Sequence, residues 1–317
     1  MRYSRLDAKD RAREHMRGIW AAALNPFRPD GSFDEAGFRR NIRHWADDLG
    51  IAGLFIGGKQ GEYFSMSLDE RKRNFEIAAD ETGSAAGTIM SASDQNFDTV
   101  LELARHAQDV GADYIVVHAP VLHFVKDPDE TVFNYYKAVC DAVDIGIAMW
   151  SHPDSGYLMS PELCARIAEL PNIVAIKYSV PREMYVRLSH MVGDRIHVST
   201  ASEEEWLDNI EELGWKLYLC SSPPYLLQTA RDRRMHEYTQ LAFQGRFDAA
   251  RRVRDSLEPV RAAIRDTKPA GKPHAHGKFW QDLLGQTGGA TRFPMLPLTE
   301  AEKAETRRAF EGCGLQL

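Results

Sequence analysis

The chain is expected to fold as an α/β protein, a closed parallel (β/α)8 TIM barrel carrying a C-terminal helical extension. Three observations predict this. Eight short apolar runs alternate with longer amphipathic ones, the rhythm of strands and crossover helices in a parallel sheet. At 317 residues the chain is long for one domain, but a barrel of about 250 residues with extensions accommodates it around a single core. After Cys220 the strand rhythm stops and only helical patterns follow.

Residues 1–17 form an N-terminal extension rich in Arg, Lys and acidic side chains, without the apolar run of a leader peptide. The barrel, 18–221, opens with a strand at 19–24. The turn that follows is Asn25-Pro26-Phe27, so the glycine-rich loop of the rival doubly wound open sheet is missing. A helix at 34–48 leads to a strand at 53–56, and a helix at 68–81 opens on Ser67 as N-cap. Strands at 87–91 and 114–118 flank a helix at 97–110. A helix at 129–143, with Asp129 as candidate cap, precedes the strand at 145–150. Helix 161–169, strand 173–178, helix 183–192 and strand 196–200 continue the alternation. Helix 203–213, with Ser202 as candidate cap, and strand 216–220 complete it. Residues 222–317 read as helices interrupted by one loop, 268–277, rich in Pro, Gly, Lys and His. They are expected to pack on the barrel, with an independent helical domain as the alternative.

Composition narrows the function. With 44% hydrophobic and 27% charged residues and a net charge of −7, nothing favours nucleic acid or an anionic membrane as partner. No apolar stretch is long enough to span a bilayer. Cys140, Cys164, Cys220 and Cys313 are far apart and lack metal-ligand spacing, so neither a disulfide framework nor a zinc site is expected and a reducing cytoplasm suits them.

In such a barrel the chemistry belongs at the carboxyl ends of the strands. Lys177 closes the apolar run Ile173-Val174-Ala175-Ile176. An ammonium buried there is costly to desolvate, so its pKa falls and part of it becomes a nucleophilic free amine. The plainer reading is a lysine snorkelling into solvent. The second strand ends in Gly57-Gly58-Lys59-Gln60-Gly61-Glu62-Tyr63, where glycines admit an anion to backbone N–H groups and Lys59 adds charge, or which is simply a tight turn. The fifth strand ends Trp150-Ser151-His152-Pro153. Alternation puts Trp150 and His152 on one face, so His152 is either a proton carrier at the barrel mouth or a structural histidine at a turn.

Together these segments resemble the dihydrodipicolinate synthase and N-acetylneuraminate lyase superfamily, Schiff-base aldolases and dehydratases on a (β/α)8 barrel. The resemblance runs from Gly18-Ile19-Trp20 to the end. Its carriers are the turn 58–62 followed by Leu68-Asp69-Glu70-Arg71, then Gly111-Ala112-Asp113, Pro120, Pro153, the strand ending in Lys177, and the tail 292–299. It implies Lys177 as the imine-forming lysine and a 2-oxo acid such as pyruvate as substrate. It also implies no metal or organic cofactor, and a homotetramer or dimer.

The departures are specific. Lys59 and Gln60 replace the family's paired threonines, and Trp150 stands where a catalytic tyrosine is usual. Val121 and Leu122 follow Pro120 in place of a second tyrosine, and Asp154, Ser155 and Gly156 stand where the synthases carry a carboxylate-binding arginine. The usual proton relay is missing, which argues against dihydrodipicolinate synthesis itself. His152, at the position of an asparagine in the hydratase-aldolases, is the expected substitute acid and base. Lys59, with Gly58 and Gln60, is expected to hold the carboxylate. Trp150 makes the mouth apolar, and Tyr63 and His118 are reserve candidates there. The expected activity is a Schiff-base lyase, an aldolase or hydro-lyase acting on a 2-oxo acid, possible second portions being aromatic or apolar. A lysine-dependent hydrolase or decarboxylase and an inactive keto-acid sensor are the alternatives.

Overall fold

A computed structural model describes residues 3–155, 157–220 and 224–317. Met1, Arg2, Gly156 and the stretch 221–223, with the boundary expected at 221/222, lie outside the described residues. Eight parallel strands are present: β1 (Gly18–Ala22), β2 (Gly53–Ile56), β3 (Gly87–Ser91), β4 (Tyr114–His118), β5 (Gly146–Ser151), β6 (Ile173–Tyr178), β7 (His197–Ser199) and β8 (Leu217–Leu219). They pair in the order β7-β6-β5-β4-β3-β2-β1-β8. The Leu219 N–H donates to Ser199 Oγ at 2.8 Å and bridges the seam between β8 and β7. The sheet is therefore a nearly closed (β/α)8 barrel. Every expected strand forms, with ends displaced by one or two residues.

The helices are α1 (Ala8–His15), α2 (Glu35–Arg43, continued by a π turn, His44–Asp48), α3 (Leu68–Thr82), α4 (Phe97–Asp109), α5 (Pro128–Ala142), α6 (Pro161–Ile167), α7 (Arg182–Val192) and α8 (Trp206–Leu213). The C-terminal part adds α9 (Arg234–Phe243), α10 (Phe247–Ser256), α11 (Glu258–Asp266), α12 (Pro273–Leu283) and α13 (Glu300–Gly312). None in the described residues is long and apolar enough to cross a membrane. Ser67 caps α3 as expected, in a reciprocal capping box with Glu70.

Two expected helix starts are corrected. Asp127, not Asp129, caps α5, accepting the Glu130 N–H, because Pro128 takes the first helical position where no N–H is needed. Ser202 does not cap α8, which begins at Trp206 behind Glu205. The Glu203 carboxylate is instead drawn into a buried bidentate pair with Arg261 (2.5 and 2.8 Å) and accepts from Tyr238 Oη at 2.5 Å.

Glycines shape the barrel floor. The Trp20 indole lies across β2 and β3, and a Cβ at Gly53 or Gly87 would fall 2.2 or 2.6 Å from its ring atoms. Tyr114 packs on the same indole (centroids 5.9 Å apart). Helix α1 covers the strands' amino ends through buried Ala8, Ala12 and Met16. It is fastened by Lys9 donating to the Ala168 carbonyl at 2.6 Å and by a His197 contact to the Ala12 carbonyl at 3.0 Å.

Charged latches join the C-terminal helices to the other end. Glu62, wholly buried in a left-handed conformation (φ 55°), pairs with the buried Lys278 of α12 and accepts the Arg292 N–H at 3.0 Å. Arg292 also clamps Glu70 through two bonds of 2.8 and 2.6 Å. Burial outweighs the pull of Glu62 and pushes Lys278 down to about 8. Lys278→Met should lower stability by about 3–5 kcal/mol, the cost of leaving a buried charge unpaired. The double variant Glu62→Gln/Lys278→Met should recover part of that loss in chemical denaturation.

Candidate active site

The carboxyl ends of the strands open into a cavity of about 930 Å³, lined by the β2, β5 and β6 termini, residues 200–205 and helices α11 and α12. Lys177 lies near the end of β6, in register with Trp150 on β5 and Ser199 on β7. Its Nζ donates to the Cys220 carbonyl beyond β8 at 2.5 Å, and lies 5.1 Å from the Phe55 ring centroid and 5.2 Å from that of Trp150. It is 2% exposed, and no carboxylate pairs with it among the described residues. Burial, reinforced by Lys59, pushes its pKa down to about 8, against a pull from Cys220. With that value roughly a tenth of the lysine is free amine at pH 7.

Lys59, on the turn after β2, extends over the same indole with its Nζ 5.1 Å from the Trp150 centroid. The Nζ lies 3.2 Å from Asp154 Oδ2 and 3.3 Å from His152 Nδ1. Burial lowers the Lys59 pKa and Asp154 opposes the shift. His152 sits just beyond β5, and its Nδ1 accepts the Asp154 N–H at 3.1 Å. Burial and then Lys59 hold the imidazole below its ordinary range, with Lys177 adding to them and Asp154 opposing.

Lys177, His152, Lys59, Gln60 and Trp150 thus line one cavity. Gly58, Tyr63 and His118 do not. Gly58 is packed beneath the turn, where a Cβ would come within 2.9 Å of the Phe55 ring. The turn also uses its own amides: Gly61 N–H donates to the Gly58 carbonyl and Glu62 N–H to the Lys59 carbonyl, both at 3.0 Å. Those two N–H groups are unavailable to an anion. Tyr63 turns away to stack on Arg71, 5.0 Å from the guanidinium carbon. His118 is the register partner of Trp150 on β4 and lies behind it, ring to ring at 5.1 Å. Burial and Lys59 push it down to about 4.

Sequence reasoning missed three contributors. Phe55 and the Cys220 carbonyl complete the surroundings of Lys177. His274, in the first turn of α12, meets the Lys59 carbonyl at 2.8 Å and so fixes the turn from the C-terminal side. Only the His-rich composition of 268–277 hinted at this.

The cavity opens at the carboxyl end of a nearly closed (β/α)8 barrel, the end that carries the active site in enzymes of this architecture. The model of the dihydrodipicolinate synthetase family matches residues 15–312. A 4-hydroxy-tetrahydrodipicolinate synthase of Methanothrix thermoacetophila is 27% identical over 294 residues, covering 92% of this chain and 95% of that protein. An N-acetylneuraminate lyase of Clostridium perfringens is 36% identical over 165 residues, 52% of this chain and 57% of that protein. Among solved structures, CdNal from Clostridium difficile in complex with mannosamine superposes with a TM-score of 0.82 at 25% identity, over 94% of this chain and 99% of that one. The chain belongs to the dihydrodipicolinate synthetase family, and it is an enzyme of the lyase class.

The Lys177 environment is testable without a substrate. Competitive acetylation followed by peptide mapping should return a pKa near 8 for Lys177. Lys59→Met removes a like charge and should move that value upward.

Proposed function

We propose that the chain is a Schiff-base-forming lyase acting on a 2-oxo acid, with Lys177 as nucleophile. The observation that carries this reading is a buried amine at the strands' carboxyl mouth, its pKa pushed down to about 8 and facing a cavity large enough for a small keto acid and a second portion. The Nζ lone pair attacks C2, water departs, and the iminium serves as electron sink for bond making or breaking beside it. No metal or organic cofactor is needed for that step. Lys59 and Gln60 face the substrate's carboxylate, where a cation strengthens the hold through charge-assisted hydrogen bonds. His152 moves the proton that a phenol moves elsewhere in the superfamily. Phe55 and Trp150 bring aromatic faces to the site, which favours an aromatic or apolar second portion. The names of the relatives support the reading at the level of keto-acid lyases. A homotetramer or dimer in a reducing cytoplasm completes it, in keeping with four buried free thiols.

Incubation with pyruvate and sodium borohydride should leave a reduced adduct on Lys177 alone by peptide mass spectrometry. Lys177→Arg should give none while keeping its circular-dichroism spectrum, since it retains the charge but loses the primary amine. Adduct on Lys59, or none with several 2-oxo acids, would refute the assignment. Because the neutral amine is the nucleophile, the initial trapping rate should rise with pH through about 8 and level off above it.

A further inference from the structure

We propose that Lys59, His152 and Asp154 form a proton relay that delivers the proton consumed when Lys177 condenses with a 2-oxo acid. The proposal rests on the Lys177 reading above and assigns a source for the proton.

The geometry fixes a direction. His152 Nδ1 receives the Asp154 N–H at 3.1 Å and faces the Lys59 ammonium at 3.3 Å. A ring nitrogen that accepts two donors carries no hydrogen, so the neutral imidazole bears its hydrogen on Nε2. The resting ring is therefore a donor through Nε2, on a side chain that lines the cavity, with a second donor at its Nδ1. Asp154 holds that arrangement at two points, its backbone amide on Nδ1 and its carboxylate on Lys59 Nζ at 3.2 Å. When Nε2 releases its proton, Nδ1 takes one from Lys59, and the Asp154 carboxylate, 3.3 Å from Nδ1, faces the new N–H.

The stoichiometry matches. Addition of the neutral Lys177 amine to C2 forms the N–C bond and moves the carbonyl π pair onto oxygen. A proton from the amine nitrogen and one from His152 Nε2 then convert that oxygen to water. The C–O bond breaks, and the nitrogen lone pair closes the C=N bond. Lys59 restores the ring and ends as a neutral amine. One cation is consumed at Lys59 and one is created at Lys177, so the site's net charge is unchanged. A carboxylate clamp alone would leave the iminium as a second cation beside Lys59.

The charged and titratable groups facing this relay are Asp154 on its own loop, Lys177 from β6 and His118 from β4. Asp154 stabilises the protonated end, while burial, Lys59 and Lys177 keep the ring neutral. In the relay His152 and Lys59, which both face the substrate, are the catalytic residues, and Asp154 is the positioning residue that acts through them.

The test is the time course of borohydride-quenched pyruvate adduct on intact protein, with pyruvate varied. Lys59→Ala and Lys59→Gln should lower the limiting rate at saturating pyruvate about 10²-fold or more, the usual range for a lost proton donor, while the final adduct yield is kept. Small primary amines should restore the Lys59→Ala rate with a Brønsted dependence on the amine's pKa. His152→Asn should show a similar loss without amine rescue, because the intervening ring is gone. A Lys59→Ala enzyme with an unchanged limiting rate and only a raised half-saturating pyruvate concentration would overturn the relay and leave a clamp. Rescue independent of amine pKa would do the same. Failure of the Lys177 reading looks different: the wild-type protein would then give no adduct at all.

Discussion

The structure turns on keeping one lysine amine out of water at a strand end. Desolvating an ammonium is unfavourable by several kcal/mol when nothing pairs with it, and Lys177 has a carbonyl and two aromatic faces in place of a carboxylate. The folded protein relieves this by making the proton easier to lose. That relief lasts only while the walls stay in place, and the walls come from distant parts of the chain. Phe55 and Trp150 stand on strands whose positions follow from the barrel. Closure on the far side depends on the C-terminal helices, which carry no strand and are held to the barrel by buried charge.

Those latches connect stability to the site. Glu62 ends the turn that presents Lys59, and its carboxylate is fixed by Lys278 and by the Arg292 amide. His274, four residues before Lys278, holds the Lys59 carbonyl. A disturbance at the latch therefore reaches the turn through its backbone. A buried pair of this kind is weak evidence for net stability, and a hydrophobic pair of similar volume would hold the helices as well. What the ionic pair adds is a defined orientation for the turn, since a carboxylate with two fixed donors tolerates little rotation.

The barrel was legible because its signal is local. Each run such as Ile173-Val174-Ala175-Ile176 is short and apolar, and its alternation with helical periods leaves little choice of topology. Lys177 was legible for the same reason, as a single charge at the end of a buried run. Glu203 was not: its position before α8 reads as a first-turn acid, and only the tertiary partner Arg261 in α11 explains why the helix starts later. Tyr63 and His118 were placed at the mouth on chemical type alone. Their orientation depends on Arg71 and on the register of β4 with β5, which single-sequence patterns do not carry. The Asp154 amide on His152 belongs to a turn geometry that two intervening backbone torsions decide.

The tryptophan at position 150 makes physical sense once both lysines are considered. A phenol at that place would offer a proton, but its face attracts a cation less strongly than an indole face does. An indole has no acidic proton in the useful range, yet its face attracts cations by about 0.5–2 kcal/mol, more as water is excluded. Lys59 and Lys177 both lie about 5 Å from this ring, so attraction to the indole offsets part of their mutual repulsion and lets two lysines share one mouth. Burial lowers the Lys177 pKa, and the repulsion that remains adds to that shift. On the proposed reading, an indole at this place leaves the ammonium of Lys59 rather than a hydroxyl as the proton source. His152, 3.3 Å from the Lys59 ammonium and held below its ordinary range by burial and Lys59, is the neutral ring placed to accept that proton.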